Sequence, residues 1–371
     1  MKMRLGLKIP ILFCSLCLLT SCADQKILED IGLITTLGYD LEGENKIRAT
    51  LVVLQINPEA ERNIDVISSD AITSKGARLK ANLKTSKVLQ AGQLRVAMYD
   101  EEIARKGIKP YVDTLARDPS ISDLTYLAVV DGSARDLLKH EYTNIPDVGQ
   151  HLFNQIEQLT DKEQISNSTL QDIQQSYYSE GIDPILPILK RNGENITVVG
   201  NAIMKNDRMV GKLTPKESFY AKLIRDQYHA GSIEMTLNLR DVEGKKHKVT
   251  TVIDTIVSSR DLKLLNQYEP RFDLYLKIKG RLLEIQGDVD LTIPQNMSLL
   301  EKAINKKMRN EAIKVITYSQ KRDSDIFGFG EVYRSTVRHA NLSRGLWHEK
   351  YKNIKYDIGV DFKLVRTGIT E

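Results

Sequence analysis

The chain changes its period of apolar and polar residues several times, and each change marks an element. From Asp30 to Ile56 two β-branched runs, IGLITTLGYD and KIRATLVVLQI, flank Glu42, Gly43, Glu44 and Asn45, a spacing that predicts a β-hairpin. A polar stretch follows, then ARLKANLKTSK from Ala77 takes helical spacing before GQLRVAMYD (Gly92–Asp100) returns to a strand. Asp100 stands as an N-cap before Glu101 and Glu102, and Gly107 closes that short helix. Pro110 suits the first turn of the next helix, which holds Tyr111, Val112, Leu115 and Ala116 and stops at Asp118 and Pro119. Leu124–Val130 reads as a buried strand, and residues 133–180 as mostly helical, with Ser168 and Gln171 forming a capping box over Leu170, Ile173 and Tyr177.

The second half opens with a hairpin, ITVVGNAIMK and RMVGKLT around a turn at Asn206 and Asp207. Thr214, Pro215 and Glu217 then supply cap, first-turn proline and capping-box acid of a helix running to about Asp226. SIEMTLNLR, HKVTTVIDTIV and FDLYLKIKGRLLEI alternate as strands of a half-solvated antiparallel sheet. Ser298 and Glu301 cap an amphipathic helix whose face of Leu300, Ile304, Met308, Ala312 and Ile316 is suited to packing on that sheet. IKYDIGVDFKLVRTG forms a last strand. The fold class expected is α+β, with two to three domains of mixed or antiparallel sheets packed with helices. The divisions are a leader over 1–21, a mixed region over 22–195 that is itself subdivided, and an α+β region over 196–371.

The leader has three parts: Lys2, Arg4 and Lys8, an apolar run from Ile9 to Leu19, and the tetrapeptide Leu19, Thr20, Ser21, Cys22. The run is about half of the roughly 20 residues that span a bilayer, so it reads as an export signal. Small residues between a leucine and a cysteine form a bacterial lipobox, which makes Cys22 the lipid attachment site and the mature N-terminus. One buried acyl chain, at about 0.8 kcal/mol per methylene, binds marginally, whereas the two of a diacylglyceryl group anchor stably. No stretch in residues 23–371 reaches spanning length, so the body is expected beside the membrane.

Composition narrows the chemistry. Cys14, Cys17 and Cys22 are the three cysteines, all in the leader and lipobox, which leaves the body without disulfides or thiol chemistry. Removing Lys2, Arg4 and Lys8 from the formal +4 leaves about +1, which gives no electrostatic case for nucleic acid. With 41% hydrophobic and 27% charged residues the chain is globular rather than disordered.

No catalytic, cofactor or metal residue is assigned. His140, His151, His229, His247, His339 and His348 are scattered, without the i, i+4 spacing of a helical metal site. Gly328 and Gly330 in DIFGFGEVYR lack the third glycine of a phosphate loop, Tyr333 standing there, and read as turn glycines. Asp288 and Asp290 have strand spacing, which solvent-facing alternation explains more simply than an acid pair. Tyr177 and Tyr178 are of a type common at interfaces, but partly buried helix positions account for them.

The order of these features resembles the C-subunit family of spore germinant receptors, the Ger(x)C lipoproteins. The resemblance runs from the lipobox through ILEDIGLITTLGYD, GQLRVAMYDEEIARKGI, LARDPSISDLTYLAVVDGSARDLL, SEGIDPILPIL, VVGNAIMKNDRMVGKLTPKES and FGFGEVYR to the final strand ending in Arg366, Thr367 and Gly368. Family members commonly carry Trp-Asp after the lipidated cysteine, where this chain has Ala23, Asp24 and Gln25; Trp347 is its only tryptophan. The resemblance implies three small mixed α/β domains and a non-enzymatic subunit of a nutrient germinant receptor. It also implies anchoring on the outer face of the spore inner membrane, with integral membrane A and B subunits as partners. The alternative from another class is a solute-binding lipoprotein of a transporter, against which the hairpin-rich pattern speaks. A cell-envelope hydrolase would need a cleft of clustered acids or histidines.

Overall fold

The computed structural model describes residues 28–44, 46–56 and 63–365; Cys22, the leader and residues 366–368 lie outside them. β1 (Ile31–Glu42) and β2 (Lys46–Gln55) form the expected hairpin, and β3 (Ile64–Ala71) adds antiparallel to β2. On its other side β1 runs parallel to β5 (Val96–Asp100) and to the short β4 (Val88–Gln90). β6 (Tyr126–Val130) and β7 (Ile185–Asn192) continue in parallel, and β8 (Asn195–Lys205) and β9 (Arg208–Leu213) close the sheet by antiparallel hairpins. The resulting order is β3-β2-β1-β5-β6-β7-β8-β9.

Helices cover both faces of this sheet. α1 (Ser74–Asn82), α2 (Glu101–Lys106), α3 (Lys109–Ala116) and α6 (Leu170–Tyr178) pack on one, α4 (Ala134–Lys139) and α5 (Val148–Asp161) on the other. Leu127 and Val129 of β6 enter the first core and Ala128 and Val130 the second, which is why that strand reads as an unbroken apolar run. The Asp100 carboxylate caps α2 by accepting from Ile103 N at 2.7 Å. The capping box of α6 sits one residue later than the spacing predicts, on Thr169 and Asp172. The Ser168 carbonyl accepts from Leu127 N at 2.8 Å and Thr169 bridges Tyr126, so the backbone stays extended through Thr169.

α7 (Pro215–Arg225) leads from the first sheet to the second and carries the predicted cap: Glu217 accepts from Thr214 N at 2.8 Å and Thr214 Oγ1 from Glu217 N at 3.3 Å. β10 (Gly231–Arg240), β11 (Lys246–Asn266) and β12 (Arg271–Gln286) form an antiparallel meander, and β13 (Lys355–Leu364) joins β12 in parallel. The second sheet is therefore mixed. The β8–β9 hairpin, placed by its sequence at the head of the second half, is hydrogen-bonded into the first sheet instead.

α8 (Pro294–Gln320) lies across the inner face of the second sheet with Leu300, Ile304, Met308, Ala312 and Ile316 fully buried. Its large side chains contribute about 1.5–3 kcal/mol each. The helix begins at Pro294, about one turn before the expected cap, with proline in its first turn. Ser298 is thus interior, and the Glu301 carboxylate accepts from Leu364 N of β13 at 2.8 Å. Asp288 and Asp290 fall beyond the end of β12: Asp288 faces Lys245 at 3.2 Å and Asp290 holds the Thr292 turn, so they form no pair. α9 (Phe329–Thr336) and α10 (Arg344–Tyr351) complete the second region. The whole is a mixed α+β fold with two sheets packed by helices.

Candidate functional site

The sequence assigns a chemical role to Cys22 alone, which lies outside the described residues. The histidines stay apart. His140 meets Glu194 at 2.7 Å, His247 meets Asp241 at 2.6 Å and His348 meets Asp183 at 2.9 Å, each with a single carboxylate. No group of three or more His, Cys, Asp and Glu side chains suited to a metal ion occurs among the described residues.

The structure brings together a set of residues that spacing does not reveal, at the junction of the two sheets. Asp183, in the segment entering β7, is 1% exposed at its side chain. Its Oδ1 accepts from Asn206 N in the β8–β9 turn at 2.8 Å and from Arg344 Nη1 at 3.4 Å. Its Oδ2 accepts from Asp325 N at 2.9 Å and lies 2.9 Å from His348 Nε2. One carboxylate therefore ties the first sheet to the segment after α8 and to α10.

Asp325 is fully buried beside it. Its Oδ1 accepts from Phe327 N at 3.1 Å and Gly328 N at 2.9 Å, and its Oδ2 from Gly330 N at 2.8 Å and Trp347 Nε1 at 2.9 Å. Burial pushes its carboxyl up to about 6 despite these donors, and the neighbouring Asp183 charge adds to the rise. Gly328 adopts φ +77°, and a Cβ on Gly330 would stand 2.5 Å from Gly181 Cα and 2.6 Å from the Trp347 ring. Gly328 is thus demanded by its left-handed backbone, as the sequence predicts, whereas Gly330 lies in the first turn of α9 and is demanded by close packing; their amides wrap a carboxylate rather than a phosphate. Arg344 donates to the Ser176 carbonyl at 3.0 Å and to those of Tyr177 and Ser179, satisfying the C-terminal end of α6. Tyr177 is half-buried there and Tyr178 exposed.

Beside this knot opens a cleft of about 1020 Å³, walled by α6 and the segment to Ile182 on one side and by α7, Arg260 of β11 and α9 on the other. Arg225 at its base donates to the Asp183 and Ile326 carbonyls at 3.1 and 2.7 Å and to Ser176 Oγ at 3.2 Å. The knot itself is closed to solvent, so the His348–Asp183 pair is suited to fastening elements rather than to proton transfer with a substrate.

The signal for this site lies in the segments that carry the family resemblance. SEGIDPILPIL supplies Gly181 and Asp183, NAIMKNDRM supplies Asn206, DIFGFGEVYR supplies Asp325 and its glycines, and the lone tryptophan is Trp347. Segments far apart in sequence converge because their backbone donors share two buried acids.

Both halves of the chain match known protein families. The spore germination protein N-terminal domain family matches residues 24–191, and the spore germination B3/GerAC-like C-terminal family matches residues 199–368. Spore germination protein GerQC of Bacillus cereus is 27% identical over 353 residues, covering 95% of this chain and 96% of that protein. Spore germination protein KC of Bacillus subtilis is 19% identical, covering 96% of this chain and 94% of its own length. The crystal structure of the GerBC protein shares the fold, with a TM-score of 0.58 at 16% identity over 89% of this chain and 97% of that one. With both of its halves matched in order, this chain belongs to the GerAC-like, or Ger(x)C, family of spore germination proteins.

Proposed function

We propose that this protein is the lipid-anchored subunit of a nutrient germinant receptor, acting in spore germination by assembly with integral membrane subunits. The observation that carries the reading is the pair of family matches, which together run from residue 24 to residue 368. Three further features support it. The lipobox ending at Cys22 supplies an anchor, and no helix among the described residues is long and apolar enough to cross a membrane. The carboxylate knot fastens the two sheets together, which suits a body that presents surfaces to partners. A two-chain lipid at Cys22 confines that body to the membrane and raises its effective concentration for integral partners without added contacts.

The test is Cys22→Ala in the full chain. The variant is expected to keep the body folded by circular dichroism, to leave the membrane fraction and to lower the germination response. Unchanged membrane retention together with unchanged germination would contradict the proposal.

A further inference from the structure

Two cations of the cleft beside the knot have no carboxylate partner among the described residues, although the lining as a whole sets Lys222, Arg225, Arg260 and Arg334 against Asp172, Glu180, Asp226 and Glu331. Lys222 of α7 is only 8% exposed and lines the cleft. Its ammonium stands 5.5 Å from the Tyr228 ring, and no hydrogen bond or ion pair to it is found among the described residues. Arg260 enters from β11; its Nη1 donates to the Arg225 carbonyl, and no carboxylate pairs with its guanidinium among the described residues. Burial holds that guanidinium below the usual arginine range, a sign of poor solvation.

Three of the four acids of the cleft are engaged by other groups, and the fourth, Glu180, is exposed to solvent. Asp172 belongs to the α6 capping box. Glu331 accepts from Gly181 N at 3.0 Å, from Ser179 Oγ and from Arg334 at 2.8 Å. Asp226 lies 3.9 Å from Arg225 Nε. Lys222 and Arg260 thus present to the cleft two cations without a carboxylate partner among the described residues, and an anion seated between them gains charge-assisted hydrogen bonds. The guanidinium fork matches the paired oxygens of a carboxylate or phosphate, and Phe327, Ile182 and Val332 offer apolar contact nearby.

We propose that this cleft is a binding site for a small anionic solute of carboxylate or phosphate chemistry, held by Lys222 and Arg260. The site lies between the two sheets, so its occupant stabilises the junction by mass action. The inference stands on the cleft alone and does not depend on the germination role.

The test is isothermal titration calorimetry of the full detergent-solubilised chain with inorganic phosphate and, separately, with succinate, alongside Lys222→Met and Arg260→Gln. Saturable binding of at least one probe below about 10 mM is expected, weakened about tenfold or more in each variant. The melting temperature should rise with that probe in the wild type only. Circular dichroism of the variants confirms folding. No saturable binding of either probe by the wild type, or binding unchanged in both folded variants, would overturn the proposal.

Discussion

In β6 the neighbours Ala128 and Val129 enter opposite cores, whereas in β10 the neighbours Glu234 and Met235 divide between solvent and core. The first sheet is parallel at its centre and covered by helices on both faces. The second is a meander with one covered face, where residues alternate strictly between buried and exposed along β10. The two regions therefore tolerate change at different places: every position of a central strand in the first sheet supports packing, but only alternate positions do so in the second. What joins them is polar. The Asp183 and Asp325 carboxylates gather donors from both regions, and the joint is satisfied only while all its parts are present.

The largest effect should come from the joint. Asp183→Ala leaves Arg344 Nη1, His348 and the amides of Asn206 and Asp325 without their acceptor, and is expected to cost about 5 kcal/mol in chemical denaturation. A loss under about 1 kcal/mol would show that the regions hold together without it. Next is the contrast between strands. Met235→Ala should cost about 3 kcal/mol and its neighbour Glu234→Ala less than about 0.5, while in β6 Val129→Ala and Val130→Ala should each cost about 2 kcal/mol. Equal losses at Met235 and Glu234 would break the comparison.

A pH titration separates the joint from the sheets. Asp325 ionises near 6 in the folded protein against 3.8 for the free carboxyl. Its folded state therefore binds the proton more tightly, so its contribution is complete below about pH 4 and disappears as pH rises through about 6. Asp325→Asn should flatten the fall in stability between pH 4 and 6 by roughly 2–3 kcal/mol, measured as denaturation midpoints. Some slope should persist, because burial also pushes Asp100 in the first region up to about 6. The smallest effects are the caps: Thr169→Ala on α6 and Thr214→Ala on α7 should each cost about 1 kcal/mol in thermal unfolding.

Legibility follows the same contrast. The second sheet was readable because alternation is a local property, and the five-residue stripe of α8 was readable for the same reason. Thr214, Pro215 and Glu217 placed α7 correctly because all its capping atoms lie within four residues. β3 was not visible: its buried positions are Ile67, Ser69 and Ala71, too small and polar to stand out from the surrounding chain. The one-residue error at Ser168 arose from a tertiary bond, Leu127 N to its carbonyl, that no local pattern announces. The β8–β9 hairpin was recognised as a unit, but its partner strand is a matter of topology. Asp183 and Asp325 carry no signal in the sequence, because a lone aspartate in an apolar segment acquires meaning only when distant amides converge on it. Ordered resemblance to a family did capture those segments, without explaining them.

The proposal that this body works at a membrane surface by contact with integral partners is tested most directly by a pull-down. The full tagged chain, as wild type and as Cys22→Ala, would be recovered from solubilised membranes and its co-purifying proteins identified by mass spectrometry. Integral membrane receptor subunits are expected with the wild type, and a fall of about tenfold or more with Cys22→Ala, as confinement is lost. Recovery of the folded wild-type chain from membranes without any such subunit would contradict it.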